Sequence, residues 1–225
     1  LYDWYLCPNA GYYFTQKACE TVHIQLDLDA MSVSVVNQGF EKLDQMRVKA
    51  EIFDCKSRQI WSKQTVADIE PQTANKVFKL PPSDQITPEI YFVSLDMRDK
   101  TGKLVSDNFY WLSEKKDFTS LEKMPKVNLE ATLTQKNEKN SGEIICRIHL
   151  TNPSQPLAFF INTSIRKGQD GDKVLPSFWS ENYVSILPGK NKELTVRFRQ
   201  SLLDGQTPFL KIEGWNVASK SIKIE

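Results

Sequence analysis

The sequence predicts an all-β chain, two antiparallel β-sandwiches in tandem after a short N-terminal helix. Three observations predict it. After residue 20 the apolar residues recur with a period of two, as where Val22, Ile24, Leu26 and Leu28 alternate with His23, Gln25 and Asp27. That is the pattern of strands with one face in a core. Turn residues interrupt these runs at short intervals: Asp99-Lys100-Thr101-Gly102, Pro188-Gly189, and the glycines at 168, 171 and 205. The two halves also echo each other. A strand over 32–37 ends in Asn37, a polar turn follows, and a strand runs over 46–54. A strand over 147–152 likewise ends in Asn152, Pro153 to Pro156 turn the chain, and a strand runs over 159–166. A repeated unit of about seven short strands suits an immunoglobulin-like sandwich, here without the inter-sheet disulfide of antibody domains.

Residues 1–20 stand apart. An aromatic loop from Asp3 to Gly11 leads into a predicted helix over 12–19. A helix this short is marginal alone and needs a packing partner. Residues 4–14 are therefore expected to be disordered, or to bury themselves against their own sandwich or another chain. The first sandwich takes strands near 22–28, 31–37, 46–54, 91–97 and 104–112. Ser113-Glu114-Lys115-Lys116-Asp117, with Pro125 beyond, is the polar boundary. The second takes strands near 127–133, 144–150, 159–166, 183–187, 194–198 and 209–215. The expected domains are 1–20, 21–116 and 117–225.

Hydrophobic residues make up 40% of the 225 and charged residues 25%, the composition of a folded globular chain. The formal charge of +1 offers no basic field for nucleic acid or an anionic membrane surface. No apolar run approaches the roughly 20 residues that span a bilayer as a helix. The chain opens on Leu1-Tyr2-Asp3-Trp4-Tyr5, which reads as a fragment or a processed chain.

Signals of chemistry are few. His23 and His149 fall on the more polar faces of predicted strands, without a second ligand at metal-binding spacing. The four cysteines form no C-x-x-C pair. Cys146, within an apolar alternation, reads as a buried thiol, and Cys7 with Cys19 stays open as a pair. Glu41 with Asp44, and Asp170 with Asp172, read as solvated loop carboxylates; the second pair lacks the other ligands of a calcium loop. Phosphate-loop and serine-nucleophile motifs are absent. Asn162-Thr163-Ser164 fits a glycosylation pattern but lies within a predicted strand. No catalytic residue, metal site or cofactor is expected in this chain. The aromatics offer the one candidate site. Sugars stack on exposed rings beside polar groups that fix hydroxyls, and Trp179, Glu181, Asn182 and Tyr183, next to Phe178 in an apparent inter-strand loop, present that mixture. Gly214-Trp215-Asn216 is a weaker cluster. Trp and Tyr are equally ordinary as core residues of a sandwich.

A family resemblance runs along the whole chain. Tyr2-Asp3-Trp4-Tyr5, Pro8-Asn9-Ala10-Gly11-Tyr12-Tyr13 and Ala18-Cys19-Glu20 resemble the end of the catalytic barrel of family 2 glycoside hydrolases, nearest the exo-β-glucosaminidase and endo-β-mannosidase branch. His23-Ile24-Gln25-Leu26, Ser34-Val35-Val36-Asn37 and Asn108-Phe109-Tyr110-Trp111-Leu112-Ser113 resemble landmarks of the next sandwich. Residues 175–182 and 214–216 resemble landmarks of the last one. The resemblance implies a multidomain β-mannosidase-like or exo-glucosaminidase-like parent, an O-glycosyl hydrolase working with retention by two carboxylates on a (β/α)8 barrel. Those carboxylates match no residue here, so this chain is expected to be non-catalytic, with residues 1–20 as the tail of the barrel. Its implied partners are the parent's own barrel and, at the cleft border, a β-linked oligosaccharide or polysaccharide; neither nucleic acid nor a membrane is expected. Secretion or a periplasmic location follows by analogy only. Two other functions remain open: a carbohydrate-binding module, and an adhesin-type pair of interaction domains.

Overall fold

The computed structural model describes residues 1–86, 88–138 and 142–224. Two compact units emerge, Thr15–Lys123 and Leu1–Phe14 with Met124–Glu225. The division falls within helix α1 (Ala10–Ala18), so the first fourteen residues group with the C-terminal sandwich. Each unit is a two-sheet antiparallel sandwich, the immunoglobulin-like architecture that the alternation predicts.

In the first unit, β1 (Val22–Asp27), β2 (Ser32–Asn37) and β5 (Thr73–Lys79) form one sheet in the order β1-β2-β5. The other sheet orders β4 (Gln59–Ile69), β3 (Leu43–Asp54), β6 (Ile90–Arg98) and β7 (Leu104–Ser113) as β4-β3-β6-β7. Register is fixed by the period-two burial. Val48, Ala50 and Ile52 lie opposite Met97, Leu95 and Val93, and all six are buried. Side chains of β7 reach the free edge of β1. Ser106 Oγ accepts from the Ile24 N–H at 3.2 Å, and Tyr110 Oη accepts from the Leu26 N–H at 3.0 Å. These hydroxyls satisfy backbone donors that no strand pairs. Lys17, from the end of α1, lies 2.8 Å from Asp107 and 3.2 Å from Glu20 in this unit.

In the second unit, β8 (Glu130–Glu138), β9 (Glu143–Thr151), β11 (Phe178–Trp179) and β13 (Asn191–Arg199) make the sheet β11-β13-β9-β8. The facing sheet is β12-β10-β14-β15, from β10 (Ala158–Lys167), β12 (Val184–Ile186), β14 (Pro208–Glu213) and β15 (Lys220–Lys223). The core between them includes Ile148, Leu150, Ile161, Val196, Phe198 and Leu210, and it extends to Tyr13 of α1.

One expectation needs correction. His23 is buried at 5% exposure instead of lying on a polar face. Its Nδ1 sits 2.8 Å from the Glu20 carbonyl oxygen, which as an acceptor requires Nδ1–H. The pairing left open for Cys7 and Cys19 is not made; all four cysteines are free thiols. Cys146 is buried as expected, and burial pushes its thiol up to about 11.

Candidate functional site

The four candidate residues sit on and just after β11, and the structure gives them different neighbours. Strand alternation turns Phe178 out and Trp179 in. The Trp179 indole is 7% exposed, and its Nε1–H donates to Ser177 Oγ at 3.2 Å. A ring packed this way offers no free face to a sugar. Asn182 is buried too, and its amide works as a short piece of β-ladder. Oδ1 accepts from the Thr163 N–H at 2.8 Å, and Nδ2 donates to the Thr163 carbonyl at 2.8 Å. That exchange extends the edge of β10 where β12 has not yet begun. Glu181 is partly buried, with its carboxylate 2.8 Å from Lys192 Nζ. Tyr183 is half-buried at φ 55°, and burial raises its phenol above the ordinary range. Its ring lies 6.0 Å from Tyr13 and 5.2 Å from Phe160.

The residues the alternation leaves outside are others. Phe178 is 50% exposed, with the Arg197 guanidinium 4.6 Å above its ring, a cation–π contact on an open sheet face. Trp215 is 49% exposed, whereas Asn216 beside it is buried. Asn216 Oδ1 accepts from the Phe159 N–H, and Nδ2 donates to the Pro125 and Leu157 carbonyls, each at 2.8 Å. In each aromatic cluster, then, the amide is architectural and one ring remains exposed.

The N-terminal aromatics form a clasp that no local sequence pattern marks. Tyr12 and Tyr13 meet edge to face at 5.1 Å, Tyr2 lies 5.0 Å from Tyr12, and Phe14 lies 6.3 Å from Phe160. Phe160 and Tyr183 both adopt left-handed backbone, at φ 54° and 55°. Such conformations are costly for aromatic residues, and here they aim both rings at α1. The only hint in the sequence is the density of aromatics at both places. The expectation for residues 4–14 is met in Tyr12 and Tyr13 and fails in the turn before them, where Trp4 is 92% and Tyr5 74% exposed. That turn is ordered by its own chemistry. Asp3 Oδ1 accepts from the N–H groups of Tyr5 and Cys7, each at 2.9 Å, so order requires no burial of Trp4.

A concavity of about 780 Å³ near the start of β9 and the end of β13 is lined, among the described residues, by Gln135, Arg199, Gln200, Gln206 and apolar neighbours. Among the described residues no group of three His, Cys, Asp or Glu side chains is placed to hold a metal ion.

Residues 108–217 match the model of the exo-β-D-glucosaminidase Ig-fold domain, and residues 29–117 match that of the mannosidase Ig/CBM-like domain. Between them the two models, each of an immunoglobulin-like domain, match residues 29–217. Among curated relatives, the exo-β-D-glucosaminidases of Arthroderma benhamiae and Streptomyces avermitilis are 26% and 28% identical over 99% of this chain. The mannosylglycoprotein endo-β-mannosidase of Lilium longiflorum is 24% identical over the same share. The crystal structure of an Amycolatopsis orientalis exo-chitosanase variant bound to an aryl glucosaminide superposes with a TM-score of 0.91 at 26% identity, over 100% of this chain and 29% of that one. This chain spans about a quarter of the length of the glucosaminidases it matches, 26% and 27% in the first two.

Proposed function

We propose that these domains are the non-catalytic accessory region of a multidomain retaining family 2 β-glycosidase of the exo-β-glucosaminidase type. They support its catalytic (β/α)8 barrel, with residues 1–20 as the connection. One observation carries the reading: the whole chain, helix included, superposes on an exo-chitosanase at a TM-score of 0.91 and 26% identity. The clasp supplies the physical mechanism. Tyr13 is rooted in the sandwich core, so a chain entering through α1 arrives on a fixed element instead of a loose linker.

The test is hydrolysis of aryl β-glucosaminide and aryl β-mannoside by the full-length parent and by this chain alone. Turnover of the glucosaminide by the parent and none by the chain is the expected result. Turnover by the isolated chain would overturn the reading. A second reading, a glycan-gripping module, is favoured by the half-exposed Phe178 under Arg197. It predicts that the chain is retained on insoluble chitosan and that Phe178→Ala abolishes retention.

A further inference from the structure

Cys7 and Lys173 meet at a place the proposed function does not use. Lys173 Nζ lies 3.3 Å from Cys7 Sγ, with both side chains partly buried. They line a small cavity with Pro8, Tyr13, Trp179 and Asn182, where the N-terminal segment crosses β10 and β11. Both backbones are held. The Cys7 N–H donates to Asp3 Oδ1 at 2.9 Å, and the Asp3 N–H donates to the Cys7 carbonyl at 3.2 Å. Lys173 forms an isolated bridge with Arg166, closed by the Val174 N–H on the Ile165 carbonyl at 2.8 Å. The turn before it depends on Gly171, where a Cβ would stand 1.8 Å from the Lys167 carbonyl oxygen. A nucleophilic sulfur and a lysine nitrogen thus face each other from two fixed elements, 166 residues apart in sequence.

We propose that Cys7 and Lys173 are an oxidative modification site, forming a reversible sulfur–nitrogen tether that locks the N-terminal segment to the second sandwich. The oxidant is a peroxide. The Cys7 thiolate attacks one peroxide oxygen, so that an S–O bond forms, the O–O bond breaks, and the departing hydroxide is protonated to water. Lys173, as the free amine, then attacks the sulfenic sulfur. An S–N bond forms, the S–O bond breaks, and the hydroxyl leaves as a second water with an amine proton. Sulfur gives up two electrons and peroxide accepts them, and the thiol and amine hydrogens end in water. Condensation of a sulfenic acid with nitrogen is known chemistry for cysteine when a nitrogen is held nearby. Tyr13 and Asn182 wall the cavity in which the two groups meet.

Hydrogen peroxide added to the folded chain, followed by tryptic peptide mapping, tests this. The expected product is a cross-linked peptide holding Cys7 and Lys173, about 2 Da lighter than the sum of its parts. Cleavage after Lys173 is lost, and dithiothreitol restores both peptides. Cys7→Ser removes the product, and so does Lys173→Arg, which keeps the cation beside the sulfur and guards against a folding defect. Cys7 recovered as sulfenic or sulfinic acid with Lys173 still cleaved would overturn the proposal, as would a Cys7–Cys19 disulfide. Lys173→Arg forming the same product would equally sink it.

Discussion

Buried side-chain amides organise this protein at the scale of single residues. Asn37 Nδ2 donates to the carbonyls of Glu41 (2.9 Å) and Glu70 (3.3 Å), while Oδ1 accepts from the Gly39 N–H at 3.0 Å. Asn152 repeats the arrangement, donating to Pro156 and Ile186, each at 2.9 Å, and accepting from the Ser154 N–H at 3.0 Å. Each closes a turn on itself and ties it to a second element of its own sandwich. Replacing either by Ala strands three backbone groups in a dry interior. Urea unfolding should show a loss of about 2–3 kcal/mol for each, and Asp should not rescue, since it cannot donate. Asp54 makes a different test. Burial alone would raise its carboxyl, but the N–H groups of Arg58 and Lys56 and the Arg58 guanidinium at 2.7 Å outweigh it and hold the carboxyl below the usual range. The stabilisation is present above the ordinary aspartate value of about 4 and is lost as pH falls through the lower, folded value. Asp54→Asn should therefore cost about 1–3 kcal/mol at pH 7, and the gap to the native chain should close as pH falls through the lowered, folded value. A gap that persists undiminished in acid would show that the charge is not the cause.

Among elements, edge strands and the N-terminal helix behave least as the alternation suggests. The strands that period-two reading misses are β4, β5, β11 and β15, and each is an edge. Along β4 only Ile69 is buried, and Lys63, Gln64 and Thr65 show no apolar face. Lysines at 63, 76, 79, 220 and 223 lie on these strands, as expected of edges kept from pairing with other chains. Interior strands such as β3, β6, β9 and β13 were legible because both neighbours and a core face fix their pattern. Helix α1 was legible as a helix, but its docking was not. Tyr13→Ala should lower the stability of the second sandwich by about 3 kcal/mol, from a core ring lost to a cavity. Trp4→Ala should leave stability within about 0.5 kcal/mol, because that ring touches little. Equal effects from the two substitutions would show that the clasp is not where the helix is held.

Taken as a whole molecule, the chain presents two sandwiches whose aromatic landmarks serve architecture first. Trp179, Asn182 and Asn216 are buried and hydrogen-bonded, so these clusters are selected by the fold before any ligand is considered. Trp179→Ala should destabilise by about 3–5 kcal/mol, while Phe178→Ala should leave folding intact. On insoluble chitosan, elution of the native chain with the void and no change on Phe178→Ala would favour the supporting role over the gripping one. Slow elution abolished by Phe178→Ala would reverse that preference.

The sequence by itself determined the all-β class, the tandem repeat and the interior strands, because alternation and turn residues are local signals. Tertiary structure decided the rest. Whether Trp179 or Phe178 faces water depends on which sheet β11 joins, and no local pattern carries that. The burial of His23 depends on what packs over its strand. The meeting of Cys7 with Lys173, and of Tyr13 with Tyr183, brings together residues more than 160 positions apart. Such contacts follow from how the chain closes its core, a property of the fold and not of any segment within it.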